Sequence, residues 1–257
     1  KKGGHGNRVD LHQAIAESCD TYFYELAVRM GIDEMHPMGA QFGLGAKSNL
    51  DIPNERSGLW PSRQWKKRFR RLPWYPGDSL NVSIGQGDVL ATPVQLAVMT
   101  ATIASRGEHM QPHIVKAIGD APVEPKLLNT VEATEDNWRY VQVAMEAVIH
   151  VVRGTANKTA EGLRSRMAGK SGTAQVIGIA QDEEYDRDKV SERNRDHALF
   201  IAYAPADNPQ IAVAVVLENG ESGSGAGAPV PRALFDYWLS TDASAIGVTP
   251  PVNPDPR

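Results

Sequence analysis

Two apolar runs near the C-terminal end, "HALFIAYAP" at 197–205 and "QIAVAVVLEN" at 210–219, are joined only by the short turn around "ADNP". Both runs have strand character, and so short a connection pairs strands antiparallel, because a parallel return needs a crossover of about a dozen residues or more. A third strand-like run, "RMAGKSGTAQVIG", precedes them. The earlier part of the chain reads as helices. Helices first and an antiparallel meander afterwards define an α+β fold class, an antiparallel β-sheet flanked by helices. No internal repeat is apparent.

The helical signals are local and specific. Asp10 is an N-cap for a helix over 11–17, with Gln13 in the capping-box position. A second helix starts near Thr21, carries Phe23, Leu26, Ala27 and Met30 at helical spacing, and stops at Gly31. Residues 39–90 are rich in Gly, Pro and Trp and read as loops and short elements. In "ATPVQLAVMTATIASRG", Thr92 is the cap, Pro93 takes the first helical position, Gln95 closes a capping box and Gly107 ends the helix. Trp138, Val141, Met145 and Val148 mark one stripe of a helix over 135–152, and "PRALFDYWL" makes a closing helix. The segment "GIAQDEEYDRDKVSERNRD" has 11 charged residues in 19 and reads as a solvated, mobile excursion. Residues 241–257, with four prolines, read as a flexible tail.

Several function classes are excluded early. A formal net charge of −4 leaves no global positive field for nucleic acid. No run approaches the roughly 18 apolar residues that span a bilayer. Cys19 is the only cysteine, so no internal disulfide can form. The opening "KKGGHGNRVD" has no initiator Met and a helix follows almost at once, which raises the expectation that the chain is a piece of a longer one.

The stretch "AGKSGTAQV" at 168–176 sets one long cation, Lys170, among Ala168, Gly169, Ser171, Gly172, Thr173 and Ala174. Strands favour bulky side chains, and glycine within one marks a close approach by a ligand or another backbone. A bare strand face lets a substrate lie against it, where Lys170 offers an ammonium to a carboxylate. At about 4 Å and an effective dielectric near 20 such a pair is worth roughly 4 kcal/mol before desolvation. Ser171 and Thr173 can hydrogen-bond the same anion, and a backbone N–H near Thr173 can face a developing oxyanion. The plainer reading is a solvent-facing lysine on an ordinary strand. In "ESCDTYFYEL", Ser18 and Asp20 flank Cys19 at a helix–helix junction. A turn there can aim both side chains the same way; the plainer reading is helix capping.

A serine–x–x–lysine pair, an S-x-N motif and a K-T-G motif together form one catalytic set. Here "SCD" precedes "KSGT" by about 150 residues, with "NVSIGQGDVLATPVQLA" and "RGTA" between them. With "KKGGHG", "ERSG", "KKRFRRLPWYPGD", "RDHALFIAYAP" and "LENG" in the same order, the chain resembles the transpeptidase domain of class B penicillin-binding proteins of the elongation type, from its first residues to about 240. The resemblance implies a partial penicillin-binding/serine β-lactamase-like fold. Ser18 and Asp20 match the second motif, where the serine relays protons and the third residue contacts the substrate amide. Lys170, Ser171, Gly172 and Thr173 match the third, which holds the terminal carboxylate of a donor peptide or a β-lactam, with the Thr173 N–H as half of the oxyanion hole. Asp20 departs from the usual asparagine: an ionised carboxylate accepts hydrogen bonds but cannot donate them.

No serine–x–x–lysine occurs, since Ser62 and Lys66 have the wrong spacing. The resemblance places the nucleophile and its lysine base upstream, so the chain alone is expected not to acylate. His5 and Cys19 match positions at which elongation-type members hold a structural zinc ion together with two upstream aspartates; no cofactor is implied for catalysis. The segment "RQWKKRFRRLPWY" packs six cations among aromatics. By itself that pattern suggests single-stranded nucleic acid, against which the acidic balance argues. It reads as a solvated loop with its aromatics tucked under, or as a contact for lipid headgroups, a phosphorylated glycan precursor or a partner glycosyltransferase.

The function implied is a serine-type D,D-transpeptidase that cross-links peptidoglycan stem peptides during elongation. Its expected seat is the periplasmic face of the inner membrane, on an N-terminal anchor outside this chain, with the elongation glycosyltransferase and other membrane proteins of that machinery as partners and β-lactams as inhibitors. A serine β-lactamase and a non-catalytic β-lactam-binding or assembly scaffold are the rivals. The "IGQG…ATPVQ" block favours the transpeptidase over the β-lactamase.

Overall fold

The computed structural model describes residues 4–6, 8–176 and 190–240. The tail at 241–257 and most of the charged excursion fall outside the described residues. In chain order the helices and strands are α1 (Leu11–Glu17), α2 (Asp20–Met30), α3 (Ile32–Gln41), α4 (Arg63–Phe69), α5 (Pro76–Ser83), α6 (Pro93–Ala104), β1 (Glu108–Met110), β2 (Ala117–Ile118), β3 (Ala121–Pro122), β4 (Leu127–Thr130), α7 (Glu135–His150), β5 (Ala168–Ala174), β6 (His197–Ala204), β7 (Ile211–Leu217) and α8 (Pro229–Trp238).

The three predicted strands form one antiparallel sheet in the order β5-β6-β7. Its centre is apolar: Phe200, Ala202 and Ala204 on β6 pack with Val148 and Ile149 of α7 and Phe235 of α8. Tyr203 and Ala168 pack with Met145 of α7 and Ala104 of α6. Helix α7 thus faces both clusters along the predicted stripe. Small antiparallel pairs, β1 with β4 and β2 with β3, stand apart from this sheet.

The capping predictions separate cleanly. At α6 the box is complete: Thr92 Oγ1 accepts from the Gln95 N–H, and Gln95 Oε1 accepts from the Thr92 N–H at 2.8 Å. At α1 only half forms. Asp10 accepts from the Gln13 N–H, while the Gln13 amide donates instead to Glu17 and to the His5 carbonyl.

One helix went unpredicted and two readings are corrected. Gly31 ends α2, yet α3 follows at once despite Pro37 and Gly39 within it. A Cβ at Gly39 would lie 2.4 Å from the Trp60 ring, so tertiary packing put the glycine there. The strand that carries Lys170 stops at Ala174, short of Val176. The basic stretch is a helix rather than a loop, capped by Ser62. Its Lys66 is buried and paired with Asp78, whereas Phe69, expected beneath, is 63% exposed.

Candidate active site

Helix α1 ends because Ser18 adopts the left-handed conformation, φ 56° and ψ 61°, which a residue with a Cβ enters at some cost. Cys19 is then extended and α2 begins at Asp20. The backbone reversal lets Ser18 and Asp20 escape the opposed directions they would take on one helix. Asp20 is exposed, sits inside the first turn of α2 and makes no side-chain cap, so the capping explanation for it fails.

The sheet brings its cation to this junction. Lys170 Nζ donates to Ser18 Oγ across 152 residues of sequence and to the Ser171 carbonyl at 2.8 Å. Burial pulls the Lys170 ammonium down from its ordinary value to about 8, against the opposing pull of the Asp20 carboxylate. An ammonium in that setting has lost much of its water and is poised to take an anion. Ser18, Asp20 and Lys170 therefore lie close together in the fold.

The two glycines of β5 have different reasons. A Cβ at Gly169 would lie 2.6 Å from the Ile201 carbonyl and 2.7 Å from the Phe200 ring, so internal packing demands glycine there. At Gly172 the nearest atom would be Leu199 Cβ at 3.4 Å, an ordinary contact, and the residue is exposed. Packing does not require Gly172 to be bare, and its smallness leaves the strand open to solvent. Ser171 meets Thr155 Oγ1 at 3.1 Å, and Thr173 Oγ1 lies 3.5 Å from the Glu221 carbonyl.

Sequence reasoning missed the support beneath these residues. Glu17 is 4% exposed and is held by Arg153 at 2.7 Å. The Thr155 N–H donates to the Ala16 carbonyl at 3.0 Å. The "RGTA" turn thus clamps the end of α1 with one residue and orients Ser171 with another; its position between the two motifs was the one available signal. Gln86 was missed as well: its Nε2 donates to the Thr173 carbonyl at 2.8 Å.

The predicted metal ligands do not form a metal centre by themselves. His5 Nε2 lies 3.2 Å from the Glu17 carbonyl, and Cys19 is buried. Among the described residues no group of three or more His, Cys, Asp or Glu side chains is gathered for a metal. One imidazole and one thiol supply two of the four donors a structural zinc takes.

Known proteins resemble this chain over most of its length. The model of the penicillin-binding protein transpeptidase domain matches residues 1–236, and the chain belongs to that family. A peptidoglycan D,D-transpeptidase MrdA of Acinetobacter baumannii is 45% identical over 249 residues, covering 94% of this chain and 36% of that protein. Among solved structures, Pseudomonas aeruginosa PBP2 in complex with WCK 5153 is 46% identical with a TM-score of 0.80, covering 91% of this chain and 50% of that one. Helicobacter pylori PBP2 in complex with MreC is 30% identical with a TM-score of 0.81, covering 93% of this chain and 41% of that one. The chain thus spans about a third to a half of the length of these relatives, and the α+β penicillin-binding fold is borne out.

Proposed function

We propose that this chain is the substrate-seating portion of a serine-type D,D-transpeptidase that cross-links peptidoglycan stem peptides. The observation that carries the reading is the meeting of Lys170 with Ser18 beside Asp20, on a strand edge left bare at Gly172. In this reading residues 1–240 are the C-terminal portion of the transpeptidase domain and 241–257 a tail. The nucleophilic serine and its lysine base come from the upstream portion of the longer protein.

The roles follow from chemistry. Lys170, Ser171 and Thr173 seat the terminal carboxylate of the donor peptide, and Gly172 keeps the approach clear. The Thr173 N–H faces the oxygen that becomes negative as the serine adds to the scissile carbonyl. Ser18 passes a proton toward the departing amine of D-alanine, and Asp20 accepts from a substrate amide N–H. An acceptor amine then attacks the ester, the serine is released, and a new peptide bond remains. A β-lactam carboxylate would sit in the same seat.

The site of action would be the periplasmic face of the inner membrane, on an anchor outside this chain; no described helix is long and apolar enough to cross a membrane. The elongation glycosyltransferase and membrane proteins of that machinery are the proposed partners, with nascent glycan and its lipid-linked precursor as substrate; the H. pylori PBP2–MreC complex supports the partner class. No nucleic acid is involved. A structural zinc at His5 and Cys19 would need two donors from the upstream portion.

The test joins this chain to its upstream portion and measures labelling by a fluorescent penicillin alongside nitrocefin turnover. Stoichiometric, long-lived labelling with negligible turnover supports the transpeptidase. Rapid turnover would make it a β-lactamase, and no labelling with an intact serine–x–x–lysine would make it a scaffold.

A further inference from the structure

Among the described residues strand β5 is an edge of its sheet, paired on one side with β6. In an antiparallel pair, alternate residues turn both N–H and C=O toward the partner strand, and those between turn both away. The Ser171 carbonyl takes the Lys170 ammonium and the Thr173 carbonyl takes Gln86, so both residues face the open edge. An extended peptide that adds to such an edge pairs its own N–H groups with those carbonyls. The Thr173 carbonyl is already engaged.

Its occupant is held by a purpose-shaped turn. Gly85 and Gly87 have φ of 74° and 73°, conformations that disfavour residues with a Cβ, and they flank Gln86 on both sides. The Gln86 N–H donates to the Asn81 carbonyl at 2.9 Å, and the Gly85 N–H to the Val82 carbonyl at 3.0 Å, so the turn is tied to the end of α5. A Cβ at Gly87 would stand 3.1 Å from Asn81 Cβ. Gln86 reaches β5 across 87 residues of sequence, and among its described hydrogen bonds this is the one its side chain makes.

We infer that Gln86 is a latch on the free edge of β5: it occupies the Thr173 carbonyl when no donor is bound and yields it to the donor's amide N–H. Gln86 is then a specificity-determining residue, because a ligand with an amide N–H at that point must displace it and a ligand without one need not. The inference rests on the proposal that this edge seats the donor peptide.

The experiment uses the longer protein that contains both this chain and the upstream nucleophile, with Gln86→Ala and Gln86→Met. Methionine keeps the length of the side chain and removes the N–H donor. Acylation efficiency is measured with benzylpenicillin, which carries an acylamino N–H on its lactam ring, and with sulbactam, which carries hydrogen there; both bear the carboxylate that Lys170 would seat. Losing one neutral hydrogen bond should raise the benzylpenicillin-to-sulbactam ratio roughly two- to tenfold in both variants. A ratio that is unchanged or lower in a folded variant, judged by an unaltered thermal midpoint, overturns the latch while leaving the seat intact. Wild-type protein acylated by neither compound would remove the seat and the latch with it.

Discussion

An ammonium packed against a hydroxyl and a carbonyl loses hydration that two acceptors only partly replace, and Lys170 shows the consequence in a proton affinity lowered to about 8. Two outcomes follow with opposite signs. Seating a carboxylate needs the ammonium, so acylation by carboxylate-bearing β-lactams should fall as pH rises through about 8. Stability should move the other way. An unfolded lysine near 10.5 binds more protons than the folded one over the interval from about 8 to 10.5, so the fold gains stability as pH rises there and loses it as pH falls through about 8. Urea unfolding at several pH values should show that slope in the wild type and a flatter one in Lys170→Met; equal slopes would refute the buried-charge account. Arg153 is a second residue with a readable role. Removing it strands a carboxylate at Glu17 that is 4% exposed, so Arg153→Ala should cost about 1–3 kcal/mol in denaturant unfolding. A cost near zero would mean that Gln13 alone satisfies Glu17.

Elements differ in how far their own sequence fixes them. Helix α6 was legible because Thr92, Pro93 and Gln95 act within four residues of one another. What the capping pattern hid is that Gln95 also faces inward: its Nε2 donates to the Ala46 and Ser57 carbonyls at 2.6 and 2.8 Å, from a side chain 2% exposed. Gln95→Ala should therefore cost more than a lost cap, about 2–4 kcal/mol by chemical denaturation, since the buried amide holds two loop carbonyls as well as the cap. A cost below about 1 kcal/mol would reduce its role to capping. Helix α4 was illegible for a related reason. Four cations in seven residues obscure its periodicity, and the burial of Lys66 depends on Asp78, twelve residues away, with the Tyr75 ring 4.8 Å from its ammonium. Helix α3 was hidden by Pro37 and Gly39, whose local signals packing against Trp60 overrides.

At the scale of the whole molecule, the site joins segments that are distant in sequence: the α1–α2 junction, the turn after α7, the turn after α5, and β5. Motif chemistry made the first and last of these legible, because Ser18, Asp20 and Lys170 carry functional groups that a bare strand and a helix break do not otherwise need. The supports were not legible, since Thr155 on Ser171 and Gln86 on Thr173 are contacts between polar residues of ordinary type, set by how the sheet and helices stack. The zinc pair marks the opposite limit, where residue types suggest a ligand set that this chain fills only in part. The central claim is that the β5 edge seats an anionic peptide end through Lys170. Its most direct measurement is the acylation efficiency of Lys170→Ala against wild type, in the protein rejoined to its nucleophile, with a carboxylate-bearing β-lactam. The account predicts a fall of at least about tenfold, the loss of a charge-assisted hydrogen bond; undiminished acylation in a folded variant would contradict it.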